Sequence, residues 1–395
     1  MTQTPPVLYS IAFIMKLFEF EGVELFRKEG IPVPDSALVT NPEEARAKAK
    51  AIGLPVVLKA QVLTGGRYLA GGVDTAETLE DVLTISRRIL GSTIRGLPVH
   101  RLLVAPKIET TKELYLAITL DDYNGTLLAI VSTEGGVSIN TTAQERAETV
   151  VSRHFSISQG LDLTEARQMC YQVGLRAQDI TDVAGILVTL YQVFRKNDAI
   201  LAEINPLVRT PQGDYFALDA KVEIDDSALF RHPDLSKKSL EDRIPSALER
   251  KGREIGVSYL ELDGDIAIIA SGAGLGMASM DVINEKMRAA NFLETGGAIT
   301  ADLLYKVMDL VLSKKGIRGL FINVYGGINP IHEGAKGVVK YMAEHNVKIP
   351  IVAKALGNHQ EETWEIFRAN GVHVVTDVST EKAVSELTRL LEGGK

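Results

Sequence analysis

Apolar residues fall into short runs along this chain, and their spacing changes character after residue 230. The clearest pair is Leu-Ala-Glu-Ile-Asn-Pro-Leu-Val at 201–208 and Tyr-Phe-Ala-Leu-Asp-Ala-Lys-Val at 215–222, with turn-forming residues 209–214 between them. That pattern predicts an antiparallel hairpin. Upstream, residues 19–29 open with acids, close with Arg27 and Lys28, and are followed by Gly30 and Pro32, which predicts a dipole-matched helix with a glycine stop. A second helix is marked by Thr40 or Asn41 as cap, Pro42 at its first position and Gly53 at its end. Strands are expected at 55–60, 101–106, 113–120 and, after the turn at 122–125, up to Ser132; residues 164–196 have helical apolar spacing throughout. Residues 231–256 are polar, contain Pro233 and Pro245, and read as a linker or an excursion across the first domain. Five β-branched runs follow at 265–270, 291–293, 319–325, 350–354 and 372–376, separated by amphipathic helices. Such alternation predicts an α/β domain with a parallel, doubly wound sheet that binds ligands at the carboxyl ends of its strands.

Length and charge narrow the class. The 395 residues suit two or three domains. A hydrophobic content of 45% and a mean hydropathy of +0.07 are those of an ordinary soluble protein. With 43 basic against 51 acidic residues and no basic block, nucleic acid and anionic membrane are poor partners. The single Cys170 excludes an internal disulfide and favours a reducing, cytoplasmic setting. Residues 7–18 are apolar, but too short to span a bilayer and without the flanks of a signal peptide. Residues 1–14 are expected to be a tail, with domains at 15–245 and 246–395.

Candidate chemistry begins in the hairpin. Strand alternation puts Glu203 and Asn205 on one face of the first strand, and Asp219 and Lys221 on one face of the second. A carboxylate and an amide carbonyl there suit Mg²⁺ completed by phosphate oxygens, whereas a cross-strand ion pair on a wet face is the plainer alternative. Lys59 sits in an apolar strand, where an ammonium is costly without an anion or carboxylate, and a glycine-rich loop follows at 61–72. That loop could cradle phosphate or be only a mobile hairpin tip; it lacks the Gly-Lys-Ser/Thr ending of a P-loop. In the C-terminal half, glycines follow each strand: Ser-Gly-Ala-Gly-Leu-Gly at 271–276, Gly-Gly at 296–297, Gly-Gly-Ile-Asn-Pro at 326–330. The first is not a dinucleotide fingerprint, because its last glycine falls one place early and Met277 follows. An anion at the helix start after Gly327 fits better. His332 lies at that start as a phosphoryl carrier or, more plainly, a polar loop residue, and the seven histidines show no metal-ligand spacing.

Together, the strand lysine with its Gly-Gly-Arg loop, the Glu-Ile-Asn-Pro-Leu-Val and Leu-Asp-Ala-Lys hairpin, and the Gly-Ala-Gly-Leu-Gly-Met and Tyr-Gly-Gly-Ile segments resemble the β subunits of succinyl-CoA synthetase, ADP-forming acid:CoA ligases. The resemblance runs from Met15 to the end and implies an ATP-grasp domain followed by a flavodoxin-like domain. It implies that Lys59, Gly66, Arg67 and Tyr68 hold the phosphates of ATP or ADP, with Arg67 stabilising charge during transfer. Ala105, Ile108 and Glu113 would line the adenosine, and Asn205 and Asp219 would bind Mg²⁺. Pro34 matches a position where proline favours adenine. Ser271, Gly326, Gly327, Ile328 and Asn329 would meet a small dicarboxylic acid. Glu203 would face a phosphohistidine carried by the CoA-binding α partner. The sequence departs from the family where Tyr68 and Leu69 replace a Gly-Lys pair, Ala105 an acid, Ser271 an Asn, and Asn329-Pro330 a Val-Arg type pair. Malate or citrate therefore stands beside succinate as the acid, and a nucleotide-binding relative without turnover is a further alternative.

Overall fold

Alternating buried and half-buried side chains shape Phe13–Lys238, one of two compact units. The computed structural model describes residues 14–136, 147–236, 243–244, 246–297 and 299–393. The expected tail, apart from Ile14, lies outside the described residues, as does Pro245. In the first unit a small antiparallel sheet runs in the order Ala37–Val39, Leu102–Pro106, Val56–Ala60, Val73–Ala76. Helices Pro42–Ile52 and Leu79–Leu90 cover it, burying Ala45, Ala49, Val82 and Ile89 against Val56, Leu58 and Val104. A larger antiparallel sheet runs in the order Ile14–Lys16, Lys221–Asp225, Ala199–Arg209, Lys112–Asp121, Thr126–Ser132, Val150–Phe155. Helices Glu19–Glu29, Leu163–Gln172 and Gln178–Lys196 bury Phe26, Met169, Leu187 and Leu190 in a core shared with Leu116, Ile118, Ala202 and Ile204 of that sheet.

The hairpin forms with an interruption. Leu207 pairs with Ala217 and Glu203 with Lys221; the same register carried through sets Asn205 opposite Asp219. Pro206 has no N–H to give the ladder, yet its carbonyl accepts the Leu218 N–H at 3.0 Å, which keeps the two strands in step. On its other edge Ala199–Arg209 shifts register against Lys112–Asp121 between Ile204 and Leu207. Asn205 therefore sits on a bulge, a device that re-aims side chains.

Two expectations are corrected in this unit and next to it. Residues 164–196 are not one helix: Gly174 at φ +98° and Ala177 at φ +49° break it into Leu163–Gln172 and Gln178–Lys196. The polar stretch 231–256 contains the helices Pro233–Ser236 and Ala247–Glu254. Cys170 is buried, and burial pushes its thiol up to about 12.

From Ser239 the second unit is a sheet in the order Ser258–Glu261, Asn291–Glu294, Ile266–Ala270, Gly319–Gly326, Ile351–Gly357, His373–Val374. Only Ser258–Glu261, a strand the sequence pattern did not announce, pairs antiparallel. The parallel strands, numbered along the chain, lie 2-1-3-4-5, the flavodoxin-like order, whose topological switch point falls between Ile266–Ala270 and Gly319–Gly326. Helices Ala301–Leu312 and Ile331–Glu344 pack one face through Leu304, Val307 and Val338, and helices Ala273–Asn284 and Thr380–Leu391 pack the other through Ile283, Val384 and Leu387. No helix among the described residues is long and apolar enough to cross a membrane.

Candidate functional site

Glu19, in the first turn of helix Glu19–Glu29, joins the two sheets of the first unit. The helix start comes close to the hairpin because Gly22 has no side chain: a Cβ there would lie 2.9 Å from that of Ala220 and 3.1 Å from its carbonyl oxygen. Only 2% of the Glu19 side chain is exposed. Its Oε1 accepts from Lys59 Nζ at 2.9 Å, and its Oε2 accepts from Arg67 Nη1 at 2.6 Å and Gln61 Nε2 at 3.1 Å. Lys59 also donates to the Leu218 carbonyl, beside Asp219. Arg67 reaches from the glycine loop to the Ala60 carbonyl at 3.0 Å and, through Nη2, to Asp219 Oδ2 at 2.8 Å. Burial works to raise the Glu19 carboxyl, but the charges of Arg67 and Lys59 outweigh it and hold it at about 2. Burial opposes the Arg67 charge as well, and Asp219 with Glu19 raises it above the ordinary arginine value.

Along the hairpin face, Glu203 lies 3.9 Å from Lys221, which is itself 3.7 Å from Glu223. Burial pushes the Glu203 carboxyl up; Lys221 opposes the shift, Asp219 adds to it, and a hydrogen bond with Tyr115 opposes it. Asn205 Oδ1 accepts the Gly136 N–H at 2.7 Å. Glu113 is exposed and its carboxylate stands against Gly136, where an added Cβ would be 2.7 Å away.

The structure thus brings Lys59 and Arg67 to the Glu19 carboxylate, joins Arg67 to Asp219, and by strand register sets Asn205 across from Asp219. Two cations stand beside the Asp219 carboxylate, and Asn205 adds an amide oxygen on the facing strand, a donor set suited to a polyanion with a small divalent cation. Gly66 adopts φ +68° beside the Arg95 guanidinium, and Tyr68 is 74% exposed at the loop tip. Ala105 is buried on strand Leu102–Pro106 opposite Val57, and Ile108 is half-buried just beyond it. Sequence reasoning gave no site role to Glu19, Gln61 and Tyr115; the acid at the start of helix Glu19–Glu29 had a complete local explanation as a dipole partner.

The remaining predicted residues belong to the second unit. Ser271, at the end of strand Ile266–Ala270, uses its hydroxyl to accept the Tyr325 N–H at 2.8 Å and to donate to the Tyr325 carbonyl at 3.2 Å. That bond ties the two strands at the switch point. Gly326 touches Asn329 and Ile331 so closely that a Cβ would sit 2.3 Å from Ile331 Cγ2. Gly327 and Ile328 follow, the latter 91% exposed. Asn329 lines an open cavity of about 540 Å³ with Gly297, Ile299, Thr300, Pro330 and Glu333. The starts of helices Ala301–Leu312 and Ile331–Glu344 border it, and such ends present free N–H groups to an anion.

Comparison with known proteins accounts for both units. An ATP-grasp domain family matches residues 16–209 and a CoA-ligase family matches residues 269–387. The subunit beta of succinate–CoA ligase [ADP-forming] of Ignicoccus hospitalis is 38% identical over 377 residues, covering 95% of this chain and 99% of its own. This chain belongs to the succinate–CoA ligase β-subunit family. The GDP-forming subunit beta of Thermus thermophilus is also 38% identical, over 94% of this chain and 98% of its own. A solved ATP citrate lyase from Methanothrix soehngenii, in complex with citrate and coenzyme A, superposes with a TM-score of 0.73 over 96% of this chain and 99% of its own, at 21% identity. That last likeness speaks for the shared fold. As a succinate–CoA ligase β-subunit relative the chain is an acid–thiol ligase component, with its Lys59 strand, glycine loop and first hairpin strand inside the ATP-grasp match and the second hairpin strand, with Asp219, just beyond it.

Proposed function

We propose that the chain is the nucleotide-binding subunit of an ADP-forming succinate–CoA ligase, which converts succinate, CoA and ATP to succinyl-CoA, ADP and phosphate. The observation that carries this reading is the register that faces Asn205 with Asp219 beside the Lys59 and Arg67 cations. Asn205 and Asp219 offer the carbonyl and carboxylate oxygens that Mg²⁺ prefers, so the residues present fit that ion. When bound, it would neutralise phosphate charge. Lys59, Gly66, Arg67 and Tyr68 hold the phosphates, and Ala105, Ile108 and Glu113 border the adenosine. Lys59 and Arg67 are already desolvated and charge-paired, so an arriving polyphosphate exchanges for Asp219 and shares Glu19's cations at little reorganisation cost. Arg67 then lies where charge spreads in phosphoryl transfer.

The γ-phosphoryl group of ATP passes to a histidine of a CoA-binding α partner, making it a phosphohistidine and leaving ADP. Glu203, whose carboxyl burial keeps less acidic than usual, accepts from that imidazole and orients it. The acid binds at Ser271, Gly326, Gly327, Ile328 and Asn329, its carboxylate drawn to the helix starts at the cavity. Ser271 spends its hydroxyl on Tyr325, so Asn329 is the side chain left to choose the acid. This favours a second reading, in which a hydroxylated acid such as malate or citrate replaces succinate, because Asn329 can pair with an added hydroxyl.

The test is ADP formation by the full chain reconstituted with its α partner, over a panel of dicarboxylic and tricarboxylic acids. Turnover requiring CoA, Mg²⁺ and one acid is expected, and the preferred acid decides between the two readings. ATP binding without turnover on any acid would make the chain a non-catalytic relative and defeat the proposal.

A further inference from the structure

Histidines that are far apart in sequence meet at the carboxyl edge of the second unit's sheet. His332 lies in the first turn of helix Ile331–Glu344; His359 is the N-cap of helix Gln360–Ala369, whose first turn carries Glu362. One nitrogen of each ring and one Glu362 oxygen lie within 4.8 Å of one another. The ring centroids are 4.6 Å apart, His359 Nδ1 is 3.2 Å from Glu362 Oε2, and His332 Nε2 is 3.8 Å from Glu362 Oε1. Glu333 flanks the group: its Oε1 is 3.0 Å from His332 Nε2 and is held at 2.6 Å by Lys336. We propose that His332, His359 and Glu362 form a binding site for a first-row divalent cation of the Zn²⁺ class, with Glu333 as the carboxylate that orients His332.

Three features favour a cation over a set of surface ion pairs. Glu333 Oε1 stands 3.0 Å from Nε2 of His332, whose side chain is only 12% exposed. Nδ1 of that ring is buried and meets no hydrogen-bond partner among the described residues, a costly place for a polar atom. With neutral rings, Glu333, Glu362 and Lys336 leave one net negative charge, which a divalent cation would offset. Two imidazoles and one carboxylate select Zn²⁺, Co²⁺ or Ni²⁺ over Mg²⁺, which prefers all-oxygen sites. The exposed side of His359 and Glu362 leaves room for water as a further ligand. The histidines come from adjacent strand-to-helix loops already joined by Asn358, whose N–H reaches the Gly326 carbonyl at 2.7 Å and whose Nδ2 reaches that of Ile328 at 3.0 Å. A bound cation would clip the loop that carries Asn329 to its neighbour.

The test is calorimetric titration of the untagged full chain with Zn²⁺ in excess Mg²⁺. His359→Ala and Glu362→Gln change side chains that are 49% and 48% exposed, so both variants keep the fold, as circular dichroism would verify. One Zn²⁺ per chain is expected, weakened at least about tenfold in either variant and unchanged in Asp219→Ala. The absence of saturable Zn²⁺ binding, or binding that survives both substitutions together, or binding lost in Asp219→Ala alone would overturn the proposal.

Discussion

A carboxylate with almost no exposed surface persists only where cations replace its lost hydration, and Glu19 has Lys59 and Arg67. Its folded value of about 2, against an ordinary 4.5, means the unfolded chain takes up that proton first as pH falls. The stabilisation is therefore complete above about pH 4.5 and is lost as pH drops toward 2. At neutral pH it amounts to roughly 3 kcal/mol. Glu19→Gln should lose about that much in urea unfolding at pH 7 and should converge on the wild type near pH 2; parallel curves would refute it. Lys59 was legible in the sequence because an ammonium in an apolar strand demands an anion. Glu19 was not, since its partners stand 40 and 48 residues away. Glu203→Gln should leave nucleotide affinity intact and slow phosphoryl exchange with the partner histidine, a split that equilibrium binding and isotope exchange would resolve.

Among the elements, helix Glu19–Glu29 and the hairpin depend on each other through Gly22. A larger residue must push the helix off Ala220, and with it Glu19 off Lys59 and Arg67. Gly22→Val should cost about 1–3 kcal/mol and weaken nucleotide binding together with stability, as thermal unfolding and calorimetry would check. If affinity stayed intact in a destabilised protein, the helix would not be what positions the site. The boundaries of this helix and of Pro42–Ile52 were readable from caps and glycine stops. The break at 173–177 was hidden because apolar spacing continues through Gly174 into Gln178–Lys196, and the short strand Ser258–Glu261 because its one fully buried residue, Tyr259, makes no visible alternation. Hairpin face and bulge also differ in legibility: alternation announces Glu203 and Asn205, whereas the register shift at Pro206 is a property of three paired strands.

For the whole molecule, alternation announced an α/β chain, and the motifs announced its family. What stayed hidden is whatever depends on distant loops meeting, such as His332 and His359. The central claim concerns the first unit: Asn205 and Asp219 fasten a magnesium nucleotide against Lys59 and Arg67. Calorimetric titration of the full chain with ATP, with and without Mg²⁺, tests it most directly. Binding that needs Mg²⁺ and falls at least about tenfold in Asp219→Ala, the loss of one charge-assisted contact, is predicted. Equal affinity without the ion, or in the variant, would contradict it.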